Sequence, residues 1–269
     1  MRIVKIVLLF LLIQEVAYGG WVITEESNNG IGNLSIQTTF IQNNVVRYET
    51  PTSIVIINLN TKFITMVFSE YRVYWSGTSN ELKQSIVSIY DMQFEKMLAG
   101  LPKKEQNELD SVYNNLRQQM LDSSDYVKDK NISIVKTDEV QEIYGYSSQK
   151  YNILVDSVLI ESIWHTTEVK PYDDISIGDM VSFMQQVNQT PGKVSIAQTK
   201  EYLELLKTGM LLKSIEFSAN NNKVETTVTN IREIDIKADF FLPPNNYAKV
   251  SLFDVLYLLP EQGFGDTED

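Results

Sequence analysis

The sequence predicts a mainly β (α+β) fold, in which a curved antiparallel sheet or unclosed β-barrel of about 10 to 11 strands carries inserted helices as a lid over its concave face. Three observations support this prediction. Short apolar runs follow one another across tight polar turns, which is typical of an antiparallel meander. Residues 53–75, SIVIINLNTKFITMVFSEYRVYW, are apolar on both strand faces, so both faces need a cover. Helical patterns interrupt the strands near 78–121 and 174–208.

The strands are predicted from apolar runs that end at turn residues. A strand over residues 34–41 reaches Asn43-Asn44 and returns over 45–49, and residues 53–75 then supply three more strands. Because short turns cannot connect parallel neighbours, these strands are expected to pair antiparallel. A later strand is predicted from residue 132 up to a break at 145–149. Further strands are predicted over 151–155, 158–164, 211–217 and 224–231, and an edge strand over 240–242.

The first helical insertion begins with a capping signal. Thr78 and Glu81 have the spacing of a capping box, and Gly100 and Pro102 separate two stretches with apolar residues at helical intervals. Two shorter helices are predicted in the second insertion. One carries Met180, Phe183, Met184 and Val187 on one face, and the other carries Tyr202, Leu203, Leu205 and Leu206.

The N-terminus has the pattern of an export signal. Arg2 and Lys5 precede an apolar run over residues 6–13, and the small residues Ala17 and Gly19 follow it. The run is too short to span a bilayer, so we expect a signal peptide over 1–19 and no membrane-spanning segment after cleavage. The alternative is a first core strand. Residues 20–269 are then expected to form a single soluble domain.

Composition excludes several functional classes. The formal net charge is −12, and such an acidic surface repels phosphate backbones, so nucleic acid is not an expected partner. The chain has no cysteine, which excludes thiol catalysis and thiolate metal sites. No phosphate loop, dinucleotide fingerprint or calcium loop is present, so no cofactor and no metal are expected.

Signals for catalysis are weak. The only histidine is His165, and no nucleophile-elbow pattern accompanies it, so a surface or sheet-edge position is expected. Asp173 and Asp174 precede a predicted helix, where negative charge complements the helix dipole. We therefore expect a protein that is not an enzyme.

Arg47 has two possible roles on its predicted strand. A guanidinium on the concave face would need a hydrogen-bonding partner, such as the carbonyl groups at the end of a lid helix. The alternative is an Arg on the solvent face that pairs with Glu49 or a cross-strand acid. Methionine-rich helix faces are likewise either ordinary core or adaptable lining for an apolar ligand.

In FIQNNVVRYETPTSIVIINLNTKFITMVFSEYRVYW, a short strand turns into a strand with Arg47, followed by the I-I-x-L strand 56–59 and a Tyr-rich strand 71–75. This stretch resembles the opening of an uncharacterised family of exported bacterial proteins related to the LolA/LolB-like lipoprotein-carrier fold. EIYGYSSQKYNILVDSVLIESIW resembles the family's G-Y/H-x-x-x-K-Y element and the acidic hairpin that ends in Trp164. FFLPPNNY resembles its F-x-L-P-x-x-Y signature with one extra residue. The helical insertion at 78–121 is longer than a carrier lid, and no anchoring cysteine is present.

The resemblance implies a lidded half-barrel with a hydrophobic cavity, in which an Arg on an early strand contacts the lid. We therefore expect a periplasmic protein of a Gram-negative envelope that binds an acyl chain, lipid or lipoprotein-like ligand without catalysis. The alternative is an envelope structural or interaction protein of the same fold, with a filled core, a protein partner and no ligand. The residues expected to line the cavity or contact the lid are Arg47, Ile56, Met66, Phe68, Trp75, Trp164, Phe183 and Met184.

Overall fold

The described residues fold around one open 12-stranded sheet with five α-helices. This computed structural model describes residues 19–30, 34–121, 131–187, 196, 199–217 and 223–258, so residues 1–18 of the expected signal segment lie outside the described residues. The strands are β1 (Gly20–Asn28), β2 (Leu34–Gln42), β3 (Val45–Glu49), β4 (Ile54–Asn58), β5 (Phe63–Phe68), β6 (Val73–Thr78), β7 (Ile132–Ile143), β8 (Tyr146–Val155), β9 (Val158–Thr166), β10 (Met210–Phe217), β11 (Lys223–Ile234) and β12 (Ala248–Lys249).

The helices are α1 (Ser79–Leu98), α2 (Lys103–Leu121), α3 (Ile177–Val187), α4 (Lys200–Thr208) and α5 (Leu252–Leu258). Helix α1 begins at the predicted capping box, because the Thr78 hydroxyl accepts from the backbone N–H of Glu81 and the Glu81 carboxylate accepts from that of Thr78. Among the described helices, none is both long and apolar enough to cross a bilayer.

The strand order is β12-β6-β5-β4-β3-β2-β1-β11-β10-β9-β8-β7. Strands β2 to β6 form one meander and β7 to β10 form a second. The two meanders meet where β1 pairs with β11, with Gly20 opposite Ile234. We call this β1–β11 pair the seam. The sheet is curved and does not close, because β12 and β7 remain as its two edges.

Two-residue turns fix the hairpins. Asn43 and Asn44 both have positive φ, as do Asp156 and Ser157. This backbone shape matches the right-handed twist of paired strands, and Asn and Asp adopt it more readily than most residues do. The predicted turns at both positions are therefore confirmed.

The inner face of the sheet carries most of the core. Alternate residues such as Ile23, Ile41, Val46, Ile57 and Ile64 are buried there, and they belong to one cluster with helix residues Leu82 and Phe183. Helix α1 also contacts α3, where the Ser79 hydroxyl lies 2.5 Å from Gln186 Oε1. Helix α3 packs on this core through Phe183, and α4 contacts both α3 and β10. The two helices form the roof of the cavity described below.

The outer face is crossed by the C-terminal segment. After β11 the chain must pass strands β1 to β5 to reach β12, which pairs with β6. On the way, Phe240 packs edge-on against Phe40, with ring centroids 4.7 Å apart. The Tyr247 hydroxyl lies 3.4 Å from the Ser69 carbonyl oxygen. We call residues 235–247 the strap, and it accounts for part of the cover that the second apolar face of residues 53–75 requires.

The structure corrects several details of the prediction. Strand β1 was not predicted, β12 pairs parallel with β6, and residues 238–241 form a 3-10 turn instead of an edge strand. The turn between β7 and β8 lies at Tyr144-Gly145, so residues 146–149 continue β8 rather than breaking it. Helix α5 was also not predicted.

Candidate ligand cavity

A cavity of about 910 Å³ lies between helices α3 and α4 and the inner face of the sheet. Its roof is apolar and comes from Met180, Val181 and Met184 of α3 and Leu206 of α4. Residues 34–37 of β2 and 50–52 of the β3–β4 turn form one side. Small-molecule sites in proteins commonly have about 300 to 1,000 Å³, so this cavity is large enough for a ligand.

Three carboxylates reach the cavity from the sheet. They are Glu25 on β1, Glu161 on β9 and Glu216 on β10. Glu161 and Glu216 lie directly opposite each other in the β9–β10 ladder. Burial, and to a smaller extent the neighbouring Glu216, raise the pKa of Glu161 to about 7. Burial also raises the pKa of Glu25.

Three tyrosines line the same space. Tyr48 comes from β3, Tyr172 from the 3-10 turn Pro171–Asp174, and Tyr202 from α4. Burial raises the pKa of Tyr48 to about 12, and the nearby Glu25 adds to this effect. Burial likewise raises the pKa of Tyr172 and of Tyr202. Among the described residues, none forms a hydrogen bond with these three hydroxyl groups.

A narrow pocket of about 90 Å³ adjoins the main cavity. The two spaces share Glu25, Gln37, Tyr48, Tyr172 and Met180. The remaining lining is almost wholly apolar and consists of Ile23, Thr39, Ile41, Val46, Ile175 and Met210. We call the small pocket the apolar recess, and we call the part of the large cavity that contains the carboxylates and tyrosines the chamber.

Of the eight predicted site residues, only Met184 lines this cavity. Phe183 is its buried neighbour on α3, and Met66 packs against the inner-face core. Phe68 is half-buried at the end of β5. Trp75 lines a separate pocket of about 430 Å³ between α1 and α5. The other three, Arg47, Ile56 and Trp164, point to the outer face.

Arg47 contacts the strap and not a helix. Its Nη1 donates to the Phe240 carbonyl oxygen at 2.6 Å, and its Nε donates to Glu49 Oε1 at 2.7 Å. The guanidinium carbon also lies 4.3 Å from the centre of the Phe240 ring. Ile56, its cross-strand neighbour, is buried on the same face. The expectation that Arg47 contacts the lid is therefore corrected, because its side chain lies on the opposite face.

Trp164 lies between two lysines on the outer face. The Nζ atoms of Lys150 and Lys213 are 5.0 and 5.2 Å from its ring. Each lysine also pairs with a carboxylate, Lys150 with Glu139 at 2.8 Å and Lys213 with Glu225 at 2.6 Å. Because the strand alternates, this Trp and the cavity residue Glu161 lie on opposite faces of β9.

His165 is not at the surface or at a sheet edge. It lies on β9 between β8 and β10, is buried, and its Nε2 donates to the Leu205 carbonyl oxygen at 2.8 Å. Burial lowers its pKa. The expectation failed because the strand alternation that points Glu161 inward also points His165 toward the end of α4. The Asp173-Asp174 pair lies in a 3-10 turn two residues before α3, and burial raises the pKa of Asp174.

The cavity carboxylates and tyrosines were missed at the sequence level. Glu25 lies on the strand that was not predicted, and Glu161 and Glu216 look like ordinary polar positions of half-buried strands. Their pairing depends on the β9–β10 register, which no local pattern reveals. Among the described residues, no group of three or more His, Asp or Glu side chains is arranged to hold a metal ion.

Comparisons with known proteins give no family. No family model matches the chain, and no curated protein matches it. Among solved structures, PNGF-II in a C2 crystal form is similar over 89% of this chain and 32% of its own, with 12% identity and a TM-score of 0.38. The chain thus spans about a third of that protein. The LolA superfamily protein NE2245 from Nitrosomonas europaea is similar over 84% of this chain and 90% of its own, with 5% identity and a TM-score of 0.26.

Proposed function

We propose that this protein is a non-enzymatic binding protein of the periplasm that holds an acyl chain, a lipid or a similar amphiphilic ligand between its helices and its sheet. The cavity of about 910 Å³ under α3 and α4 supports this proposal most directly. Its methionine and leucine roof suits an alkyl chain, since methionine side chains adapt to irregular apolar shapes. Each buried CH₂ group adds about 0.8 kcal/mol, so a chain of ordinary length binds without covalent chemistry.

Ligand retention tests the proposal. The chain from residue 20 onward would be produced in a bacterial periplasm and examined by native mass spectrometry and solvent extraction. A discrete added mass that extracts as a lipid or other amphiphile is expected. In parallel, a neutral fluorescent probe, N-phenyl-1-naphthylamine, would be titrated into delipidated protein. A mass without adduct together with no probe binding would exclude a binding role.

Matched variants on α3 locate the site. Met184→Trp fills the cavity from its roof and is expected to weaken probe binding at least about tenfold, which corresponds to about 1.4 kcal/mol. Ser182→Trp places the same ring on the exposed side of the same helix and is expected to leave binding unchanged. Equal effects of the two variants would show that the probe binds elsewhere.

A second candidate is an envelope interaction protein. Helix α2 has no buried residue, and Val112 and Leu116 are exposed on it, as are Ile86, Tyr90 and Met97 on α1. This apolar surface favours a protein partner. The cavity of about 910 Å³ supports ligand binding rather than the filled core expected for this alternative. If the Val112→Glu variant no longer binds a protein partner but still binds the probe, the two functions are separate.

A further inference from the structure

We propose that the cavity selects an amphiphile whose polar end is a positively charged ammonium group, and that it rejects fatty-acid carboxylates of the same chain length. This inference rests on the proposed function and specifies its ligand. It concerns the chamber formed by Glu25, Glu161, Glu216 and the three tyrosines.

The charges in the cavity have one sign. Glu161 and Glu216 face each other across two strands, where like charges repel. Lys213 is the one cation among the lining residues, and its Nζ is already paired with Glu225 on the outer face at 2.6 Å. Within the described part of the chain, no lysine or arginine forms an ion pair with the three cavity carboxylates. A ligand cation would therefore relieve an existing repulsion.

The tyrosines provide the second part of an ammonium site. Tyr48, Tyr172 and Tyr202 reach the cavity from three different elements, a strand, a 3-10 turn and a helix. Aromatic faces attract ammonium groups, and aromatic cages bind quaternary ammonium ligands in this way. Their hydroxyl groups, which have no partner among the described residues, are also able to accept hydrogen bonds from a primary ammonium group.

The apolar recess fixes which end of the ligand enters which space. The small pocket meets the larger cavity at Glu25, and its remaining lining by Ile23, Ile41, Val46, Ile175 and Met210 is apolar, which favours an alkyl group over a charged one there. An alkyl chain placed there and under the α3 roof leaves its polar end beside the carboxylates. A fatty acid in the same pose would place its carboxylate beside the three carboxylates of the cavity, where like charges repel.

Four amphiphiles with the same alkyl chain test the inference. Dodecylamine, dodecyltrimethylammonium, dodecanoate and dodecanol would be compared by displacement of N-phenyl-1-naphthylamine, below their micelle concentrations and near pH 8. Both ammonium compounds are expected to bind at least about tenfold more tightly than dodecanoate. Tight binding of the primary amine alone would still support the inference and would assign the selectivity to the tyrosine hydroxyl groups. If dodecanoate binds as tightly as both ammonium compounds, the inference is wrong and the proposed function stands. If none of the four binds, the proposed function fails as well.

Paired substitutions identify the carboxylates. Glu161→Gln combined with Glu216→Gln is expected to weaken dodecylamine binding at least about tenfold and to leave dodecanol binding unchanged. The matched control removes two exposed carboxylates elsewhere, by Glu108→Gln with Glu142→Gln. Circular dichroism verifies that each variant folds. An equal loss in both double variants would mean that overall surface charge attracts the cation, and it would overturn the inference.

Discussion

Glu161 is half-buried beside a second carboxylate, and its protonation is therefore linked to folding. A carboxyl group whose pKa is higher in the folded state binds more protons there than in the unfolded chain. Between its ordinary value of 4.5 and its folded value of about 7, stability therefore decreases as pH rises. Tyr202 and Glu216, which face it, do not supply a compensating positive charge.

Glu161→Gln should remove this pH dependence. We expect the free energy of unfolding of the unmodified protein to fall by up to about 3 kcal/mol, relative to the variant, between about pH 4.5 and 7. Urea unfolding at several pH values measures the difference. Glu142→Gln, at an exposed position on β7, serves as the control and should follow the unmodified protein. Parallel curves for Glu161→Gln and the unmodified protein would contradict the burial of this carboxylate.

Arg47 holds the strap to the sheet, and its loss should destabilise the fold. Arg47→Met removes the donor to the Phe240 carbonyl oxygen and leaves Glu49 without its partner. We expect a loss of about 2 to 3 kcal/mol in urea unfolding, because hydrogen bonds to a buried charge are stronger than average. Arg232→Met, at an exposed position on β11, is expected to change stability by less than about 0.5 kcal/mol. Similar losses in both would show that the strap contact contributes little.

Side-chain direction limited what the sequence predicted at this scale. Residue types and alternation indicated that Arg47 needs a partner and named Glu49 as one, which is confirmed. They did not indicate which face is inner, because residues 53–75 are apolar on both. The strap covers the outer face from about 200 residues further along the chain, a contact that no local pattern encodes.

At the scale of elements, two glycines distinguish a position where a helix lies close to a strand from a position with open space. Gly209 ends α4, and a Cβ atom there would lie 1.8 Å from the Thr166 carbonyl oxygen on β9. Gly178 lies in the first turn of α3, and nothing is within 4 Å of the corresponding position. The same substitution should therefore have opposite effects at the two positions.

Gly209→Ala is expected to cost about 3 kcal/mol or more, because backbone atoms must move apart. Gly178→Ala should stabilise the protein by about 0.5 to 1 kcal/mol, since alanine favours the helix. Thermal and urea unfolding of the two variants measure both effects. A small effect of Gly209→Ala would mean that α4 shifts easily relative to β9, and the cavity roof would then be adjustable.

Local signals predicted those elements that have strong boundaries. Asn43-Asn44 and Asp156-Ser157 marked hairpins, and Thr78 with Glu81 marked the start of α1. Strand β1 follows directly after the expected signal segment, and its TEES sequence is polar, so its apolar start did not stand out. Its strand conformation depends on pairing with both β2 and β11.

At the scale of the whole molecule, protection from solvent should differ between the helical hairpin and the sheet centre. Helix α2 contacts α1 and has no buried residue, whereas Val22 and Ile23 of β1 are almost completely buried. In hydrogen–deuterium exchange, peptides from 103–121 should exchange much faster than peptides from 20–28. Slow exchange in α2 would indicate that another molecule covers it, and dilution of the protein would distinguish self-association.

The position of the seam has a consequence for biosynthesis. Each meander assembles from contacts between strands that follow one another in sequence, but Gly20 cannot pair with Ile234 until the chain has been synthesised at least as far as β11. Such distant pairing raises contact order and slows folding. Pulse-labelled exchange during refolding should therefore show amide protection in β1 and β11 appearing last. Until β11 is present, the edge of β1 that will face it in the sheet has no partner. An unpaired strand edge promotes aggregation, so a translation product that ends before β11 is expected to aggregate. A chain that includes β11 covers this edge.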